Sequence, residues 1–274
     1  MLAHAGAEYA RAITAREPDR RARAAFRRLA LSLAPPGGTL LDFGAGAGLD
    51  ARYFAQRGLA VRAYDNDPRM REFLAHHCRD LIESGRIRLE TGSYEEFLAR
   101  GRADDGQRVD LVAANFAPLN LIADLPALFE RFHALTAPEG KVVASVLNPF
   151  FIGDAKYRWW WWHLLELWRL GRYSMPGAQG GIVRRTPANF AAQCEPWFTL
   201  ERLHRGLPPR DLREAAGLAW SNSHAAGWRL YGCRFLFLVF RRNPSRYRWT
   251  RRRSSLIMSS PPRLQHRESI RVAP

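Results

Sequence analysis

The chain has 274 residues, 47% of them apolar, enough for a substantial core in one soluble domain plus decoration. Its formal charge is +16, but 40 of the 42 basic residues are arginine and only Lys141 and Lys156 are lysine. An arginine bias spread along a whole chain makes the pI of 10.9 weak support for a nucleic-acid partner. Cys78, Cys194 and Cys233 are too few and too far apart for a disulfide framework or a metal motif, so no metal is expected.

Residues 1–36 read as a helical N-terminal segment. Glu8, Arg11, Arg16 and Glu17 interrupt any secretory apolar stretch, so the expected compartment is the cytoplasm. Thr39 to Asp65, TLLDFGAGAGLDARYFAQRGLAVRAYD, carries the densest information. A short apolar run ends on Asp42, Gly44, Gly46 and Gly48 alternate with small residues, and a helix and second apolar run follow to Asp65. This is strand, glycine loop, helix, strand: a βαβ unit whose loop lets a ligand lie against bare backbone. An acid at the tip of the second strand can bind both hydroxyls of a ribose. The dinucleotide fingerprint G-x-G-x-x-G fails, because Leu49 stands where its last glycine belongs. An acid two residues before the first glycine repels a pyrophosphate and suits a cationic amino group.

On these residues the chain resembles the class I S-adenosyl-L-methionine-dependent methyltransferases, in particular their small-molecule group. Asp42, Gly44, Gly46, Gly48 and Asp65 match the family's acid-x-Gly-x-Gly-x-Gly loop and ribose-binding acid. The resemblance implies a Rossmann-like, seven-stranded, mostly parallel sheet with an antiparallel last strand and helices on both faces. It also implies S-adenosyl-L-methionine as cofactor, with Phe43 and Ala45 in the loop and Asn66 after Asp65 beside it. Asp67 and Pro68 suit the N-cap and first turn of the next helix. The third strand is Arg86 to Glu90. After it, Ser93 and Tyr94 fall at the adenine; Ser93 departs from the family's acid, leaving the hydroxyl, Glu95 or Glu96 for that contact. The fourth strand, Val109 to Ala114, opens onto Asn115 and Phe116, which the resemblance places beside the transferable methyl.

A helix, a Pro-Glu-Gly turn and the fifth strand reach Leu147, and the resemblance puts a final strand pair at Phe198 to Arg205 and Arg234 to Phe240. The methyltransferase domain is thus expected over residues 37–242, with an insert at 150–181. That insert holds five of the nine tryptophans, Trp159 to Trp162 and Trp168, on a helix expected from Lys156 to Leu170 and ended by Gly171. At ~100° per residue four adjacent tryptophans point to all sides of a helix, so some meet more than the domain interior. A lid over a lipophilic acceptor is the preferred expectation; a subunit interface and peripheral contact with the inner membrane surface are the alternatives. Of eight histidines, His163 and His224 are the candidate bases, lying in segments expected on the acceptor side. The HHC run at His76 to Cys78 is a poor metal site, because adjacent helical residues diverge.

Beyond residue 242 the chain is rich in arginine, serine and proline without apolar periodicity. It is expected to be a disordered basic tail. Asn-Pro-Pro-Tyr, common after the fourth strand in enzymes methylating nucleobase amines, is replaced by Asn115-Phe116-Ala117-Pro118. The expected function is methyl transfer to oxygen or carbon of a small lipophilic or aromatic acceptor. An RNA methyltransferase using the basic tail, or a silent cofactor-binding scaffold, are the alternatives.

Overall fold

A computed structural model describes residues 15–100, 108–177, 180–205 and 232–244. Met1–Asn243 form one compact unit; the second, Pro244–Pro274, lies outside the described residues apart from Pro244. His224 and the expected disordered tail therefore fall outside the description.

Helix α1 (Glu17–Leu33) precedes strand β1 (Thr39–Phe43), α2 (Leu49–Ala55) and β2 (Ala60–Tyr64). Then come α3 (Pro68–His77), α4 (Arg79–Glu83), β3 (Ile87–Glu90), α5 (Tyr94–Ala99), β4 (Val109–Ala114), α6 (Leu125–Leu135) and β5 (Thr136–Leu147). The insert supplies α7 (Arg158–Leu170) and the hairpin β6 (Arg172–Gly177) and β7 (Gly180–Arg185). The chain then runs through α8 (Pro187–Cys194), β8 (Phe198–Arg205) and β9 (Phe235–Arg242). The main sheet has the order β3-β2-β1-β4-β5-β9-β8; β1 to β5 are parallel, and β9 is antiparallel to both neighbours.

Alternate residues of the central strands feed two cores, one on each face. Leu41 and Val112 join Phe129 and Phe132 of α6 and Phe190 of α8. Leu40 and Leu111 join Phe26 of α1, Phe54 of α2 and Leu74 of α3. Covering on both faces explains why RFLFLVF lacks alternation: β9 is buried on both sides from Phe235 to Phe240. The N-terminal helix is part of this packing, since Phe26 is fully buried against Phe237, edge to ring at 5.7 Å.

The third strand starts one residue later than expected, at Ile87, and the insert helix two later, at Arg158; two larger differences concern β5 and β9. The Pro-Glu-Gly turn lies inside β5, where Val109 pairs with Thr136 but Leu111 pairs with Lys141, so the extra residues bulge between. The last strand runs two residues beyond Phe240, and Asn243 fastens its end. The Asn243 amide group donates to the Glu195 carbonyl at 2.7 Å, and its side-chain oxygen accepts from Thr199 Oγ1 at 2.7 Å.

Candidate active site

The strand order reverses between β1 and β4, so the chain leaves their C-terminal ends in opposite directions and opens a crevice there. The glycine loop fills one side. Gly44 and Ala45 donate to the Tyr64 carbonyl at 2.8 and 2.9 Å, which holds the loop against the end of β2. Gly44 has φ +74, and a Cβ there would stand 2.6 Å from Pro118 Cβ; only glycine lets the two strand ends approach so closely. Phe43 points away into the core, stacked on Tyr64 at 5.6 Å, so it offers a ligand only backbone.

Two carboxylates flank the loop. Asp65 accepts from Gly46 N at 2.7 Å and from Asp67 N at 2.9 Å, so the acid at the tip of β2 reaches back to the glycines. Burial raises its pKa above the ordinary 3.8, against the pull of those two amides. Asp42 is 2% exposed, and its Oδ2 has no hydrogen-bond partner. Burial foremost, then the charge of Asp50, hold its carboxyl well above the usual range, while Arg23 opposes them. A buried, unpaired carboxyl oxygen lacks a cation. The ammonium group on the methionine end of S-adenosyl-L-methionine fits that lack.

The proton on Asp42 is held more tightly folded than unfolded. Stability is therefore lost as pH rises from the ordinary 3.8 through the raised value. Asp42→Asn removes this loss. In thermal melts of cofactor-free protein, the variant should gain on the wild type as pH rises from about 4 to about 8. A constant difference across that range contradicts the assignment.

Sequence reasoning missed the third wall, which α1 supplies. Arg23 reaches Asp50 Oδ2 at 2.5 Å, Arg27 Nε reaches Asp50 Oδ1 at 2.6 Å, and Asn115 Nδ2 donates to Asp50 Oδ2 at 2.9 Å. The Arg23 guanidinium also lies 4.4 Å over the Phe116 ring. The signal was present as two arginines four apart on one helix face, with an acid just past the glycines. Arg23, Asp50, Asn115, Phe116 and the glycine loop enclose one small cavity.

Phe116 and Ala117 have φ of 61° and 66°, strained values for side chains bearing a Cβ. Ser145 of β5 holds this turn: its Oγ accepts from Phe116 N at 2.7 Å, and its carbonyl from Ala117 N at 3.0 Å. Phe116, the first of these two residues, lines the cavity, so the strained turn sets the position of part of its wall.

The other expected site residues within the description make contacts of their own. Ser93 caps α5: its hydroxyl accepts from Glu96 N at 3.2 Å while Glu96 Oε2 accepts from Ser93 N at 2.9 Å. This capping box engages two of the three groups suggested for the adenine contact, Ser93 and Glu96, and the Ser-x-x-Glu spacing announces it. Tyr94 lies next to it with its buried hydroxyl unpartnered, and burial raises its pKa. Asn66 is exposed, with its carbonyl held by Arg71 at 3.1 Å. His163 stacks on Tyr173 at 4.6 Å and meets Glu166 at 3.1 Å. Both partners belong to the insert. Among the described residues no cluster of His, Cys, Asp and Glu is arranged to hold a metal.

The sequence matches the methyltransferase domain family over residues 14–178. No curated protein matches it. The fold is similar to that of the 1,6-didemethyltoxoflavin-N1-methyltransferase of Burkholderia thailandensis, which was solved with 1,6-didemethyltoxoflavin and S-adenosylhomocysteine. That likeness has a TM-score of 0.54 at 20% identity, covering 81% of this chain and 78% of that one. A TehB-like S-adenosylmethionine-dependent methyltransferase of Corynebacterium glutamicum aligns with TM-score 0.54 at 16% identity, over 88% of this chain and 98% of that one. The geranyl diphosphate C-methyltransferase of Streptomyces coelicolor, solved with Mg2+, geranyl diphosphate and S-adenosyl-L-homocysteine, aligns with TM-score 0.52 at 16% identity. It covers 81% of this chain and 79% of that one.

Proposed function

Since the chain belongs to the class I S-adenosyl-L-methionine-dependent methyltransferases, we propose that it methylates oxygen or carbon of a small lipophilic or aromatic acceptor. The observation that carries the site is the pair of carboxylates bracketing the glycine loop, Asp42 buried and Asp65 half-buried. Asp42 offers its unpaired oxygen to the ammonium group of the methionine end, and Asp65 offers its carboxylate to the ribose. The sulfonium supplies an already activated methyl, so the protein's contribution is positioning and exclusion of water.

Two features support the acceptor class. The side chain of Asn115 is spent inside the protein, donating to Asp50 and accepting from Ser145 Oγ at 3.0 Å. It is thus not offered to an exocyclic amine. The half-buried Phe116 ring gives the cavity an apolar wall. Two of the similar structures hold small molecules, 1,6-didemethyltoxoflavin and geranyl diphosphate. With His163 engaged by Tyr173 and Glu166, the reading invokes no side-chain base among the described residues.

Purified protein with methyl-labelled S-adenosyl-L-methionine and an extract of a strain lacking the gene tests this reading. Label should enter one molecule soluble in organic solvent, and mass spectrometry should show it heavier by one methylene than in the untreated extract. Label confined to RNA or protein would overturn the acceptor class.

A further inference from the structure

Helix α7 is two-sided in an unusual sense: both sides are apolar. Its inner side buries Trp160 and Leu167, and Trp159 packs on Tyr173 at 6.5 Å. The outer side carries Arg158, Trp161, Trp162, Leu165, Trp168 and Arg169, whose spacing places them along one stripe. Trp161 is 61% exposed, Trp162 75%, Leu165 55% and Trp168 81%. Water leaves such a surface uncovered only at a cost, and a patch of this kind marks a contact surface.

We propose that this outer face docks on an anionic lipid bilayer. Charge selects the occupant. Every exposed charged residue from 156 to 172 is a cation: Lys156, Arg158, Arg169 and Arg172. The two acids nearby are turned to other partners, Glu166 to His163 at 3.1 Å and Asp154 to Arg184 at 2.6 Å. Tryptophans flanked by arginines match the headgroup layer, with rings at the acyl boundary and cations among the phosphates. The Trp161 indole donates to the Ala155 carbonyl at 2.8 Å, so that ring is held in place before contact.

Geometry fixes the mode. Thirteen residues of helix extend about 20 Å, short of the ~30 Å hydrocarbon core. Among the described residues no helix is long and apolar enough to cross a membrane. The helix therefore lies in the plane of the interface. A second copy is the poorer occupant: stripes paired about a two-fold axis bring the cations of one chain toward those of the other.

Co-sedimentation of the full chain with vesicles tests the proposal. The protein should pellet with an equal mixture of phosphatidylcholine and phosphatidylglycerol and remain in solution with phosphatidylcholine alone. The combined variant Trp162→Gln, Leu165→Gln, Trp168→Gln should weaken partitioning by at least about tenfold. It should keep its affinity for S-adenosylhomocysteine, which checks that it is folded. Should it lose that affinity, Arg158→Glu with Arg169→Glu decides, and it should weaken binding to the mixed vesicles in the same direction. The proposal is overturned if the wild type ignores the mixed vesicles, or if the folded variants bind them as well as the wild type does. It is equally overturned if sedimentation equilibrium shows a dimer that the glutamine variant dissolves, since a second copy would then cover the stripe.

Discussion

Gly46→Val is expected to weaken S-adenosylhomocysteine binding by at least about a hundredfold while leaving the chain folded. Gly46 sits at φ +53, in the left-handed region, and its N–H donates to Asp65 at 2.7 Å. A β-branched residue in that region costs about 1–2 kcal/mol from backbone crowding alone. The sheet can absorb that cost, because Gly46 contributes to neither core. Binding cannot. On the proposed reading the methionine portion lies against this loop, where a branched side chain obstructs it, and moving the backbone aside breaks the link to Asp65. Calorimetry on the variant, with circular dichroism to verify the fold, reads both effects. Near-wild-type affinity would mean the ligand does not touch this loop.

Asp50→Ala should destabilise the protein by about 3–5 kcal/mol, the usual cost of leaving one member of a buried ion pair alone. Asp50 is 5% exposed and holds three donors at once, from Arg23, Arg27 and Asn115. Its loss strands the Arg23 guanidinium, itself 8% exposed, among Phe116 and the glycine loop. Urea denaturation of the cofactor-free protein measures the change. Adding Arg23→Met should restore much of it, because the second substitution removes the stranded charge. A loss below about 1 kcal/mol for Asp50→Ala would show that the network is solvated and structurally idle.

Much of this architecture is legible in the chain because each element has a local cause. The apolar run from Val109 to Ala114 is a strand with those bounds, since both its faces are covered. Gly171 ends α7 in the left-handed conformation expected of it, and Asp67 caps α3 by accepting from Arg69 N. The glycine loop is legible for the same reason: its conformation is set within one βαβ unit, with Gly44, Gly46 and Gly48 all at positive φ. What is not legible depends on long-range approach. Arg23 stands 27 residues before Asp50, so the arginine pair and the acid are each visible in the chain while nothing local joins one to the other. Ser93 also has a local cause: Ser-x-x-Glu is a capping-box spacing, and Ser93 and Glu96 form that box at the start of α5. The four tryptophans divide as helical geometry requires: Trp160 is buried, Trp159 half-buried, and Trp161 and Trp162 exposed. Only the assembled hairpin beneath α7 decides which side faces inward.

The most direct measurement is titration calorimetry of the full chain with S-adenosylhomocysteine and, separately, with NADH, repeated on Asp65→Ala. The loop from Asp42 to Gly48 and the acid at Asp65 predict one site for S-adenosylhomocysteine and none for NADH. Loss of charge-assisted bonds to the ribose should weaken Asp65→Ala by about tenfold to a hundredfold. Preferential binding of NADH, or an Asp65→Ala variant that is folded and binds S-adenosylhomocysteine as tightly as the wild type, would contradict the account.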